Sequence, residues 1–320
     1  MSTISFRSNF IAIVCPSPTL GTGFIPICVW YNSFIGRDYM NIHILDSIVD
    51  CMPPNGENSI IQRVQTEHRW KLIEFWNIKE GSKVLEIGCG QGDTTAALAY
   101  VVGDAGFVHA IDTASPSYGS PVTIGASMDF IQKSEVGSRI KVDFETNVLS
   151  PDIEFPQNAF DFIVLSHSSW YMKSPEELFT ILKKVKKWGN ILCFAEWDTR
   201  IQQADQLPHF LSVLIQAQYE CFKENSISNI RTLFTPKDIQ IIAEKAGWQF
   251  IAEETIDSSH LQDGKWETQQ TLADYEQELQ IANHLPSKFK ALIQSEIHLL
   301  ETIGKKNEVR SMATYTFIAK

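Results

Sequence analysis

Residues 84–93, VLEIGCGQGD, constrain this chain more tightly than any other segment. Val84, Leu85 and Ile87 make a short apolar run of the kind a buried strand needs, and Gly88, Gly90 and Gly92 follow at once. Glycines spaced in this way let the backbone turn sharply and approach a ligand with no side chain in between. Residues 94–100 then carry a helical pattern, so the segment predicts strand, turn and helix in succession. Glu86 is out of character for a core strand. An acid there must be hydrated or paired, and a cationic ligand beside it would meet that need.

A strand, glycine turn and helix also begin the dinucleotide-binding fold, whose G-x-G-x-x-G fingerprint seats a pyrophosphate on the helix N-terminus. Here the spacing is G-x-G-x-G, and Asp93 stands where the last glycine would be. An acid suits the start of a helix but repels a pyrophosphate, which counts against NAD and FAD. A glycine turn that binds nothing is the third reading, and Glu86 with three spaced glycines weighs against it.

These residues resemble the first motif of the class I S-adenosylmethionine-dependent methyltransferases of the small-molecule type, and later segments fall in that family's order. The resemblance covers residues 60–320; the first motif is its specific part, and the rest depends on order and spacing. It implies an α/β fold, a doubly wound, seven-stranded, mostly parallel sheet of Rossmann-like form with helical lid insertions. Strands are expected at 84–87, 106–111, 140–145, 160–165, 191–195, 248–255 and 312–319. The cofactor implied is S-adenosyl-L-methionine. Glu86, Gly88, Cys89, Gly90 and Gly92 would surround it in the first turn, with Cys89 the small residue that a tight turn accepts. Asp112, about 20 residues beyond the turn, would take the ribose. Asn147 and Val148 would lie beside the adenine, although the family more often has Asp at the first of these, and Ser166 would close the site at the end of the fourth strand.

The carboxyl end of that fourth strand faces the transferring methyl in this family, which places His167, Trp170 and Tyr171 near the acceptor. A sulfonium already activates its methyl group, so the protein has chiefly to align the acceptor and exclude water. A hydroxyl acceptor must also lose a proton. His167 is the best-placed base for that; a histidine held in the turn by hydrogen bonds is the other reading. Trp170 and Tyr171 either wall an aromatic acceptor, lie against the sulfonium, or pack in the core of the next helix. No N-P-P-Y sequence follows the fourth strand, and no H-E-x-x-H or carboxylate cluster argues for a metal. The expectation is methylation of a small organic acceptor, with O-methylation ahead of N- or C-methylation. Two alternatives stand beside it: a non-methylating reaction in the same cofactor site, and a non-catalytic S-adenosylmethionine-binding protein.

The 27 Lys and Arg against 38 Asp and Glu give a net charge of −11, which disfavours a phosphate-backbone binder, so no nucleic-acid partner is expected. The cysteines show no C-x-x-C pair or dense spacing, which fits a reducing, cytoplasmic compartment better than a disulfide scaffold. Residues 10–31 are apolar but are interrupted by Pro16, Pro18, Gly21, Gly23 and Pro26, and fall short of the ~20 unbroken residues of a membrane span. Arg7 and the following FIAIVC imitate a signal peptide only weakly. Residues 1–58 therefore read as an arm, or as upstream sequence with Met40 and Met52 as other starts. The methyltransferase domain is expected at 59–320. It opens with a helix on which Ile61, Val64, His68, Leu72 and Phe75 recur; Gln62, Arg63, His68 and Arg69 are either site residues or a solvated face. Helical insertions at about 201–234 and 258–308 read as a lid over an acceptor pocket, a homo-oligomer interface, or both.

Overall fold

The computed structural model describes residues 43–54, 59–224, 226, 228–282, 284–306 and 308–320; the expected arm lies outside the described residues over 1–42 and 55–58. The strands are β1 (Lys83–Ile87), β2 (Phe107–Ile111), β3 (Ile140–Asp143), β4 (Phe160–Ser166), β5 (Gly189–Trp197), β6 (Phe250–Ile256) and β7 (Thr314–Ala319). They form one seven-stranded sheet in the order β3-β2-β1-β4-β5-β7-β6. Neighbours from β3 through β5 are parallel, and both antiparallel pairings are made by β7. The chain leaves β6 at the carboxyl edge of the sheet and re-enters there after the second insertion, so β7 has to run in the opposite direction.

The continuous apolar runs in the central strands follow from burial on both faces. Leu85, Ile87, Ile163, Leu165, Leu192 and Phe194 enter one core. Their alternates Val84, Val164, Cys193 and Ala195 enter the core on the opposite face. This is the period-2 alternation of a strand. β6, at the edge, is mostly exposed and carries Glu253 and Glu254, charges that discourage pairing with another sheet. The strand bounds differ from expectation at several points: β5 starts two residues earlier, at Gly189, and β6 and β7 start two residues later, at Phe250 and Thr314. β3 stops at Asp143, and Glu145 just beyond it has a left-handed backbone (φ 51°) that breaks the pleat. β5 runs two residues past Ala195, and this carries Glu196 and Trp197 to the carboxyl edge.

The helices are α1 (Ser59–Trp76), α2 (Asp93–Val102), α3 (Ile124–Lys133), α4 (Pro175–Val185), α5 (Leu207–Glu220), α6 (Pro236–Lys245), α7 (Asp263–Ile281) and α8 (Ser287–Lys306), with residues 43–50 also helical. α4 and α6 start where a capping side chain meets a proline: Ser174 and Thr235 accept the N–H of Glu177 and Asp238. α1 lays Leu72, Ile73 and Trp76 on the Val84 side of the sheet, joined there by Ile48, Cys51 and Met52. Buried Trp76 also donates Nε1–H to Thr316 Oγ1 at 2.8 Å. Trp76→Phe loses that bond and leaves a small void, and is expected to lower unfolding stability by about 1 to 2 kcal/mol in denaturant titration.

The two insertions share a core of their own. Leu211, Ile215 and Tyr219 of α5 pack with Ile293, Ile297 and Leu300 of α8, and Leu272, Tyr275 and Leu279 of α7 lie against them. Lys223 pairs with Glu220 and Glu278, all three largely buried, and so ties α5 to α7. Among the described residues no helix is long and apolar enough to cross a membrane.

Candidate active site

The strand order reverses between β1 and β4, and the crevice at their carboxyl ends is where open α/β sheets bind ligands. The glycine turn between β1 and α2 lies at that point. Gly88, Gly90 and Gly92 all have left-handed φ values (80°, 51° and 90°). A Cβ on Gly88 would stand 2.5 Å from Ser168 Cβ, and one on Gly92 would stand 2.6 Å from Ile131 Cδ1. These two positions are glycine because other parts of the protein press on them. A Cβ on Gly90 would meet nothing within 4 Å, so this glycine borders open space. The turn is tied to β2 by Gly88 N–H on the Ile111 carbonyl and by Gly90 N–H on Asp112 Oδ2, both at 2.8 Å. Asp112 Oδ1 accepts from Ala114 N–H at the same distance, so its carboxylate braces the turn and keeps lone pairs on both oxygens.

Glu86 is buried beneath the turn and accepts from Thr95 Oγ1 at 2.6 Å. Burial pushes its carboxyl from 4.5 up to about 8. The folded protein therefore holds this proton where the unfolded chain has released it. Stability from this group is complete below about pH 4.5 and is lost as pH rises toward 8. Glu86→Gln is expected to remove that decline when thermal midpoints are compared across this range without ligand; an equal decline in both proteins would place its origin elsewhere.

The other side of the crevice is built from β4 and β5. His167 follows β4 with its backbone N–H on the Ala195 carbonyl at 2.8 Å and a left-handed φ of 50°, a costly conformation for a non-glycine residue. Its Nδ1 faces Glu196 Oε1 at 3.6 Å, and its ring packs on Trp197 with centroids 4.6 Å apart. Glu196 is buried and accepts from Ser169 N–H, from Ser169 Oγ at 2.6 Å and from Trp197 N–H. Three donors thus hold the two oxygens of Glu196 in place. Beyond Trp197 stands His209 of α5, which burial pushes down to about 4 and whose Nδ1 accepts from Met312 N–H.

These groups line a cavity of about 310 Å³ shared by His167, Trp170, Tyr171, Glu196 and Trp197 with Arg69 from α1 and Trp266 and Glu267 from α7. The insertions thus form one wall of it. Trp170 is buried and gives its indole N–H to the Phe234 carbonyl, whereas Tyr171 is half exposed. Ser166 Oγ is buried and has no hydrogen-bond partner. Asn147 lies on the surface and caps its own turn by accepting from Leu149 N–H, while Val148 is buried in the core with Ile111. Of the polar residues on α1, Gln62 bonds Asp93 beside the glycine turn, Arg63 pairs with Asp46, and His68 and Arg69 reach the cavity region. Cys89 is free and buried within the turn. Sequence reasoning missed Glu196, Trp197, His209 and Trp266. For Glu196 the signal was present, because an acid at the end of an apolar strand is the same anomaly that singled out Glu86.

Residues 61–253 match the family described as methyltransferase domain, and the chain belongs to the class I S-adenosylmethionine-dependent methyltransferases. A crystal structure described as a cyclopropane-fatty-acyl-phospholipid synthase-like protein from Lactobacillus casei ATCC 334 is 34% identical, with a TM-score of 0.77, covering 86% of this chain and 98% of that one. Methyltransferase phomM' of Diaporthe leptostromiformis is 29% identical over 210 residues, 58% of this chain and 52% of its own. The demethylmenaquinone methyltransferase of Bacillus licheniformis is 28% identical over 142 residues, 42% of this chain and 54% of its own. The chain spans about half the length of the curated relatives it matches.

Proposed function

We propose that this protein transfers a methyl group from S-adenosylmethionine to a small organic acceptor, with a hydroxyl oxygen as the favoured target. The observation that carries the reading is the juxtaposition at the carboxyl edge: the open glycine turn and Asp112 stand on one side of the crevice, and His167 beside Glu196 on the other. The residues fit the cofactor. Gly90 leaves room for a ligand against the backbone, Asp112 has lone pairs for two ribose hydroxyls, and Glu86 gains a reason for its burial beside a cation. Asn147 and Val148 are the residues we assign to the adenine side, and Ser166 Oγ is a free polar atom nearby. Arg69 has a buried Nη1 without a partner and suits the amino-acid carboxylate.

When bound, S-adenosylmethionine supplies a methyl group that its sulfonium has already activated. What the chain adds is alignment and a proton acceptor. Trp170, Trp197 and Trp266 narrow the cavity and displace water from the reacting atoms. His167 takes the hydroxyl proton as the oxygen becomes methylated, and Glu196 stabilises the resulting imidazolium across 3.6 Å. The lid from α5, α7 and α8 sets the acceptor's shape. A cytoplasmic setting agrees with the described cysteines Cys51, Cys89, Cys193 and Cys221 being free.

The test is incubation with methyl-labelled S-adenosylmethionine and a panel of phenols, alcohols, amines and carboxylic acids, read by mass spectrometry. Label on a hydroxyl oxygen is the expected result. Label only on nitrogen or carbon would refute the oxygen assignment. Calorimetry showing tight NAD binding and no response to S-adenosylmethionine or S-adenosylhomocysteine would overturn the cofactor.

A further inference from the structure

The face of α7 that lines the cavity carries one carboxylate after another. Asp263, Trp266, Glu267 and Gln270 stand at helical spacing on the wall opposite Trp197. The same stripe continues through Asp274 and Glu278 into an adjoining cavity of about 220 Å³, and Asn229 and Gln270 line both. Glu278 is paired with Lys223, whereas among the described residues Asp263, Glu267 and Asp274 have no ion-pair partner. Gln65 donates to Asp263, and Gln216 donates to Oε1 of Glu267. Oε2 of Glu267 receives no hydrogen bond from the described residues, and the side chain borders the cavity. Trp266 beside it is 48% exposed, so much of its ring surface is free to meet a ligand. At the inner end of the same cavity the His167 side chain is 10% exposed and its Nδ1 has no hydrogen-bond partner, a polar atom that the protein itself leaves unsatisfied. The field in both spaces is negative. Burial pushes the Tyr171 phenol up, and Glu267, Glu196 and Asp112 add to it; burial does the same to Tyr219, with Glu278, Glu220, Glu267 and Asp274 adding. Among the described residues that line the two spaces, Arg69 is the one Lys or Arg. It acts on the Glu86 carboxyl beneath the glycine turn, so its charge serves the cofactor side.

We propose that the acceptor carries an organic ammonium group, held at the α7 wall by the Glu267 carboxylate and the Trp266 ring, with its hydroxyl toward the β4–β5 end of the cavity. This rests on the reading of the cavity as the acceptor site for methyl transfer to oxygen. A carboxylate enclosed without a counter-charge has lost hydration that only a partner can replace. Burial raises the Glu267 carboxyl, and Asp263 on the same helix raises it further; a bound cation relieves both. The face of an indole attracts a cation through its quadrupole and gives nothing comparable to an anion. A cleft lined by one sign of charge also concentrates ligands of the other sign. A carboxylate acceptor would have to enter past the acids of α7, and a neutral one would gain nothing from them.

Calorimetry of the full chain saturated with S-adenosylhomocysteine, which cannot give a methyl group, tests this with two matched sets of ligands. Tyramine, para-ethylphenol and para-hydroxyphenylpropionate share a phenol and differ in charge; choline and its neutral isostere dimethylbutanol share an alcohol. In each set the cation is expected to bind about tenfold or more tightly than the neutral member, and the anion to bind most weakly. Glu267→Gln keeps the side chain's shape and an oxygen for Gln216, and should remove most of the cation's advantage while leaving the affinities for para-ethylphenol and S-adenosylhomocysteine unchanged. Trp266→Ala should weaken both cations. Equal affinities across the charges, a preference for the neutral or anionic members, or no binding of either cation overturns the proposal. So does an unaltered preference in a folded Glu267→Gln protein, which would make the acids of α7 a solvated face. If that variant fails to fold, the wild-type series still decides. Cation preference together with label only on nitrogen in the panel would keep the ammonium site and remove the oxygen target. Absence of S-adenosylhomocysteine binding would strike the cofactor, and titrations without it would still read the charge preference, so the failures are distinguishable.

Discussion

Replacing His167 by alanine is expected to slow methyl transfer by about a hundredfold or more while leaving S-adenosylmethionine affinity nearly unchanged. The separation follows from where the ring lies. His167 touches Trp197, Glu196 and His68, and neither the glycine turn nor Asp112 depends on it. Protonating His167 removes the lone pair that accepts, so the wild-type rate should fall on the acid side and the variant should lose that limb. His167→Asn is the companion variant, because asparagine tolerates the left-handed backbone that His167 adopts and so separates lost chemistry from altered folding. The measurements are single-turnover rates across pH, with the acceptor identified by the labelling panel, and calorimetry for the cofactor. A folded variant with the wild-type rate and pH profile would make His167 structural and leave transfer to alignment alone.

Asp112→Ala is expected to weaken S-adenosylmethionine binding more than tenfold, from the loss of roughly 1.5 to 3 kcal/mol of charged hydrogen bonding. Two effects act together. The carboxylate offers lone pairs to the ribose, and it also holds the N–H groups of Gly90 and Ala114, so its removal loosens the turn as well. Asp112→Asn separates them. Its amide keeps one accepting oxygen for the turn but loses the charge, and it should fall between the wild type and Ala in calorimetric affinity. Unchanged affinity in a folded Ala variant would move the ribose away from the end of β2.

The seven strands and the intervening helices were legible because each local signal agreed with the tertiary result. Central strands buried on both faces had to be apolar throughout, and this is why 160–165 and 191–195 read clearly. The glycine turn was legible for the same reason: left-handed backbone and close packing at Gly88 and Gly92 leave few other residues possible. The ends of strands were less so, since β5 continues through Glu196 and Trp197, and pairing with Tyr315 and Thr314 of β7 extends it.

By itself, then, the sequence determined the sheet, its glycine turn and the family, because these depend on contacts within a few residues and on a period that can be counted. Only the tertiary structure decided what surrounds His167. His68 comes from before the first strand, Glu196 from the fifth, and His209 and Trp266 from two separate insertions. No spacing rule links residues so far apart in the chain. They meet because parallel strands deliver every carboxyl end to one edge, and because the insertions leave and re-enter the sheet at that same edge.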